Sequence, residues 1–169
     1  IRESASSGFK EVVLTGTQLG SYGFDLPDMN LTELLRRILS ETDIPRLRVS
    51  SLQPQEIDQR LLDLWSNDRL FPHFHLPLQS GSDSVLKSMR RRYTGKRYIE
   101  AVELIRASVH SASVTSDVIV GFPGEGDQDF DQTHALCEYV RFAGIHVFPY
   151  SVRPGTSAAH LKVRVSDGA

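Results

Sequence analysis

Five short segments of this 169-residue sequence combine small, hydroxyl and amide side chains suited to holding a small polar molecule. They are Thr15-Gly16-Thr17-Gln18, Ser50-Ser51, Gln79-Ser80-Gly81-Ser82, Gly121-Phe122-Pro123-Gly124-Glu125 and Pro149-Tyr150-Ser151. Each alone is a plain turn by composition. Each also follows a short apolar run, and five polar ends gathered on one rim describe a ligand pocket. His73 and His75 alternate, so on a strand both rings face one side, as two metal ligands would. With Asp117 they would make the site of a metal-dependent hydrolase. Two histidines are too few by themselves, and strand histidines bonded to backbone are the simpler reading. The run Arg90-Arg91-Arg92 can pair with an anionic group. Alternatively it is a solvated helix terminus favoured by the macrodipole, the simpler reading for Arg90. Gly95-Lys96-Arg97 lacks the frame of a phosphate-binding loop, and no nucleophile–base pair is set up by local sequence.

The elements that must position these residues are legible from apolar spacing. Residues 11–15, 46–50, 73–78, 114–120 and 145–150 read as buried strands. Helical patterns lie between them. Leu31, Leu34, Leu35, Ile38 and Leu39 share a face behind a capping-box pair, Asn30 and Glu33. Residues 55–65 read as a helix, and Ser82 caps a short one carrying Val85, Leu86 and Met89. A stripe of Tyr98, Val102, Ile105 and Val109 runs through residues 96–109, and Phe130, Cys137 and Val140 through 127–142. Cys137 is then a core thiol, inert by burial. Strand–helix alternation of this kind means βαβ units and a parallel sheet. No glycine-rich dinucleotide fingerprint follows the first strand, and a complete eight-fold barrel needs about 250 residues.

Composition narrows the classes. The net charge of −2 argues against non-specific polyanion binding by this chain alone, and no run approaches a membrane span. The single cysteine excludes an internal disulfide and any iron–sulfur site built from these residues alone. The ends read as truncated: residues 1–7 resemble the last turns of a helix closed by Gly8, and residues 161–169 a linker or tail. Residues 1–160 form the core domain.

A chain of longer motifs surrounds the polar ends: residues 12–23, 46–54, 73–82, 89–94, 117–125, 146–151 and Arg153-Pro154-Gly155-Thr156. In this order they resemble the radical S-adenosylmethionine methylthiotransferases over about residues 8–160. Leu14-Thr15-Gly16 followed by Leu19-Gly20-Ser21-Tyr22-Gly23 is similar to the branch acting on threonylcarbamoyladenosine beside the tRNA anticodon. The other branches act on isopentenyladenosine or on a ribosomal protein. Gly126 and Ser116 stand where the family usually, or often, has threonine, and Gly126 weakens the cap of the following helix.

The resemblance implies an α/β fold, a partial (βα)6 barrel supplying strands two to six. It implies S-adenosylmethionine, cleaved at a [4Fe–4S] cluster to a radical that opens the adenine ring carbon to sulfur insertion and methylation. The family's three cluster cysteines belong before Ile1, so this fragment would be inactive alone and hold no cluster. Upstream and downstream domains would supply a second cluster and RNA affinity, with tRNA as partner and the cytoplasm as location. By motif position Thr15, Gly16 and Gln18 approach the cofactor's amino group, and Ser51 and Gln79 its ribose or carboxylate. Arg91 pairs with that carboxylate. Asp117, Gly121 and Glu125 shape the fourth strand end, and Phe148 and Tyr150 face the adenine. A missing first strand leaves an open edge at residues 12–15, inviting self-association. A catalytically idle interaction domain is the remaining alternative.

Overall fold

The computed structural model describes residues 1–161 and 165, so most of the expected tail at 161–169 lies outside the described residues. Helix α1 (Arg2–Ser6) ends where Gly8, at φ +85°, lets Phe9 N–H reach the Ser4 carbonyl. That is the expected glycine stop. Strand β1 (Glu11–Leu14) leads to α2 (Leu31–Glu41), whose Leu31, Leu35 and Ile38 are buried. Asn30 Oδ1 accepts the Glu33 N–H at 2.9 Å. The reciprocal half of the capping box is missing, because Glu33 pairs with Arg36 and Arg37 instead.

Strand β2 (Arg46–Val49) is followed by a broken segment rather than the single helix expected over 55–65. A 3₁₀ turn (Pro54–Glu56), α3 (Gln59–Leu62) and a second 3₁₀ turn (Asp63–Ser66) replace it. The break has a cause: Ile57 is extended, and the Asp58 carboxylate accepts the Leu61 N–H at 2.8 Å, starting a new helix. Strand β3 (His73–His75) precedes α4 (Asp83–Ser88) and α5 (Gly95–Ser108). Strand β4 (Ser113–Val120), α6 (Asp127–Val140) and β5 (Gly144–Pro149) complete the alternation.

All ladders are parallel. β1 pairs with β2, Val12 opposite Leu47, and β3, β4 and β5 pair in that order, Asp117 opposite His146. The two sheets meet where the Leu47 N–H donates to the Arg69 carbonyl and the Leu47 carbonyl accepts the Phe71 N–H. Spatial order therefore follows chain order without the reversal a doubly wound sheet needs. The result is an α/β arc with open sheets rather than a closed barrel.

Strand β3 is shorter than expected because Pro77 has no N–H to give the ladder. The buried Ser116 hydroxyl fills the gap, donating to the Leu76 carbonyl at 2.8 Å and accepting the Leu78 N–H at 3.0 Å. The parallel bridge then resumes at Gln79 opposite Val118. The core packs between the helices and the outer sheet face, around Leu35, Leu47, Phe74, Leu76, Tyr98 and Ile105. Several expectations of burial fail, beginning with β1, none of whose residues is fully buried. All six residues of β5 are exposed, since β4 is its one ladder partner among the described residues. Phe130 is 49% exposed, facing out from α6.

Candidate functional site

Two adjoining cavities open at the carboxyl ends of the strands. The smaller, about 540 Å³, is lined by Thr15, Gly16, Ser51, Gln53, Gln79, Arg91 and Tyr93 among others. The larger, about 620 Å³, shares Gln79 and Arg91 and adds Asp117, Phe122, Phe148 and Tyr150. Eight of the eleven residues singled out in the sequence thus lie on one continuous rim: Thr15, Gly16, Ser51, Gln79, Arg91, Asp117, Phe148 and Tyr150.

The local backbone explains how β2 and β3 deliver their residues. Ser51 at φ 63° and Gln79 at φ 67° adopt the left-handed conformation that side chains other than glycine rarely take. Such strain persists where surrounding contacts overdetermine it, and it concentrates at ligand sites. Around Gln79 those contacts are visible. Its N–H donates to the Asp117 carbonyl and its own carbonyl accepts Ile119 N–H, each at 2.8 Å. The Tyr93 hydroxyl, 3.0 Å from both the Pro77 and Leu78 carbonyls, fixes the approach to the turn. Burial of that phenol pushes its pKa up to about 12, so it stays a donor throughout the ordinary pH range.

Gln18, Gly121 and Glu125 line neither cavity. Gln18 is exposed ahead of the 3₁₀ turn Leu19–Ser21. Glu125 turns back on its own loop, where its Oε2 accepts the N–H groups of Gly121 and Phe122. It shapes the fourth strand end from behind rather than facing the pocket. Gly126 starts α6 without a side-chain cap, and Asp129 substitutes by accepting the Gly126 N–H at 3.1 Å.

Below the rim, one polar network crosses all five strands. Glu11 lies 3.6 Å from the Arg48 guanidinium, whose other nitrogen is 3.1 Å from His73 Nδ1. Thr115 Oγ1 bridges His73 and His75. Asp117 is held between His75 Nε2 and His146 Nδ1, both at 3.1 Å. Burial, then the charges of Arg48 and His75, hold His73 below the usual histidine range. The strand histidines are bonded to side chains, not to backbone as expected. Among the described residues no three His, Cys, Asp or Glu side chains are grouped to hold a metal ion, so the hydrolase reading loses its ligand set. Cys137 is half-buried against the core, with its thiol pKa raised by burial.

Sequence reasoning missed two arginines. Arg90 and Arg153 line the larger cavity together with Arg91. Arg153 opens the Arg153-Pro154-Gly155-Thr156 motif, and Arg90 belongs to the arginine run whose simpler reading is a solvated helix end.

A family model for the radical SAM superfamily matches residues 1–137. The chain belongs to the radical SAM superfamily. Threonylcarbamoyladenosine tRNA methylthiotransferase MtaB of Aquifex aeolicus is 44% identical over 164 residues, covering 96% of this chain and 40% of that protein. The tRNA-2-methylthio-N(6)-dimethylallyladenosine synthase of Bacillus subtilis is 43% identical over 171 residues, covering 98% and 33%. This radical SAM chain thus spans between 33% and 40% of the length of these curated relatives. Among solved structures, coproporphyrinogen III oxidase HemN of Escherichia coli superposes with TM-score 0.72 at 16% identity, over 95% of this chain and 37% of that one. The methyltransferase TsrM of Kitasatospora setae gives TM-score 0.71 at 17% identity, over 94% and 31%. These likenesses show a shared fold. No helix among the described residues is long and apolar enough to cross a membrane.

Proposed function

We propose that this chain is the S-adenosylmethionine-binding wall of a tRNA methylthiotransferase acting on threonylcarbamoyladenosine, with the strands forming numbers two to six of a partial (βα)6 barrel. The observation that carries the proposal is the rim itself. Thr15 and Gly16 after β1, Ser51 after β2, Gln79 after β3 and Arg91 beyond α4 converge on one cavity although they are far apart in sequence. That donor set suits a zwitterionic amino-acid group with a ribose.

When bound, S-adenosylmethionine supplies the radical and methyl chemistry of the reaction. The chain's own residues bind and orient it. Arg91 forms a charged pair with its carboxylate, and Ser51 and Gln79 offer hydrogen bonds from turns whose backbones are already fixed. Fixed donors lose little freedom on binding, which favours affinity. Phe148 and Tyr150 give the adenine an aromatic flank. The residues present do not fit an iron–sulfur cluster, since Cys137 is the one cysteine and lines neither cavity. The thiolates would come from elsewhere in the whole protein, which also supplies RNA affinity that a net charge of −2 does not.

A dimethylallyladenosine substrate is the second reading, because relatives of that name are as similar as the threonylcarbamoyladenosine ones. Reaction of the complete enzyme with tRNA carrying either modification, followed by mass analysis of the nucleosides, tests both. A methylthio gain on threonylcarbamoyladenosine alone is expected. Gain on neither RNA, with both cofactors loaded, would overturn the proposal.

A further inference from the structure

The larger cavity carries more cationic chemistry than one cofactor carboxylate uses. Arg90, Arg91 and Arg153 all line it, and among the described residues none of the three pairs with a carboxylate. The acidic group on the same wall, Asp117, is already held by His75 and His146. Arg91 also lines the smaller cavity, so it serves the boundary between the two, whereas Arg90 and Arg153 belong to the larger alone.

Arg90 occupies its place against a local preference. It is the left-handed residue, φ 57°, of the turn closing α4. Its N–H donates to the Lys87 carbonyl and Arg91 N–H to the Leu86 carbonyl. Glycine is the usual occupant of that position. A non-glycine residue there is strained, as Arg141 is at the end of α6, so it is the cavity lining rather than the conformation that singles Arg90 out. Three aromatic side chains share the wall with Met89, Ile119 and several serines. Phe122 and Tyr150 meet edge to face with ring centroids 5.3 Å apart, Phe148 lies beside them, and the buried Tyr150 hydroxyl has no partner. Guanidinium groups without a carboxylate partner, in a cavity that also carries aromatic side chains, suit a planar base that bears an anionic substituent.

We infer that Arg90 and Arg153 hold the carboxylate of the threonylcarbamoyl group on the substrate adenine, and so select that substrate against the dimethylallyl one. The inference rests on the methylthiotransferase reading and sharpens it. A threonylcarbamoyl group ends in a carboxylate, whereas a dimethylallyl group is hydrocarbon with nothing to offer a guanidinium. The same two arginines could be met by a nucleotide phosphate, and the test separates these anions.

The experiment titrates the complete, cluster-loaded protein with the nucleosides N6-threonylcarbamoyladenosine and N6-dimethylallyladenosine and with adenosine 5′-monophosphate, using calorimetry, beside a titration with S-adenosylmethionine. The threonylcarbamoyl nucleoside is expected to bind about tenfold more tightly than the dimethylallyl one, the scale of one charged hydrogen-bonded contact. Arg90→Ala and Arg153→Ala should each remove most of that preference, leave dimethylallyl binding unchanged, and recover part of it as Arg→Lys. Far-ultraviolet dichroism confirms that each variant is folded. Equal affinity for the two nucleosides overturns the inference while leaving the methylthiotransferase reading intact. Monophosphate binding as tight as the threonylcarbamoyl nucleoside, with the same arginine dependence, also overturns it in favour of a phosphate site. Failure of S-adenosylmethionine itself to bind would instead count against the reading beneath it.

Discussion

Arg90 and Glu125 show how much of a side chain's task is settled by its backbone. Glu125 sits at a strand end by sequence, yet its Oε2 accepts the N–H groups of Gly121 and Phe122 while Oε1 is buried without a partner. Spacing places a residue on the rim; it does not say which way the side chain folds. Thr15, Ser51, Gln79 and Arg91 were legible because each lies within a motif long enough to be specific. Arg90 was not, because its left-handed φ and its wall of the cavity appear only in three dimensions. Replacing Arg90 by glycine should relieve that strain. We expect Arg90→Gly to raise unfolding stability by about 1 kcal/mol in a denaturant titration. A variant that loses stability would show that the side chain packs rather than reaching toward a ligand.

At the scale of elements, the third rim turn is held by helices behind it. A Cβ on Gly81 would lie 2.6 Å from Thr133 Cα in α6, and Thr133 Oγ1 accepts the Gly81 N–H at 2.9 Å. Gly81→Ala should therefore cost about 1–3 kcal/mol through forced overpacking, measured by chemical unfolding. A change below a few tenths would mean that this contact is loose. Asp129 joins α6 to α4, accepting from the Ser82 and Ser84 hydroxyls at 2.6 Å, and these bonds hold its carboxyl below the usual range. A depressed folded-state pKa stabilises the protein above the unfolded value and loses that contribution as pH falls through the folded one. Asp129→Asn should flatten the loss of stability below about pH 4, the ordinary carboxylate range. An unchanged acid limb would contradict the assignment. The helices α2, α5 and α6 were readable from apolar spacing. The broken 55–65 segment was not, because the competing cap at Asp58 outweighs its helical pattern.

Among the described residues the strands form an open arc with an edge strand at either end. β1 and β5 each have one ladder partner among the described residues, and Val13, Val147 and Phe148 are exposed. The open edge at β1 matches the expectation from sequence. The exposed β5 was misread as buried, since its apolar residues mark a surface awaiting cover as readily as a core strand. Unpaired edges recruit further strands. Analytical ultracentrifugation should show concentration-dependent association of this chain, reduced by Val147→Lys. A monomer at every concentration would show that these edges are protected. Beyond association, the rim's role as a cofactor site is tested most directly by calorimetric titration of S-adenosylmethionine into the complete, cluster-loaded enzyme as wild type, Arg91→Ala and Arg91→Lys. Wild type should bind, and Arg91→Ala should bind at least about tenfold more weakly, the loss of a charged hydrogen bond. Lysine should recover part of the affinity, because it keeps the charge but not the two-pronged geometry. Equal binding by all three enzymes, or none by the complete wild type, would contradict the account.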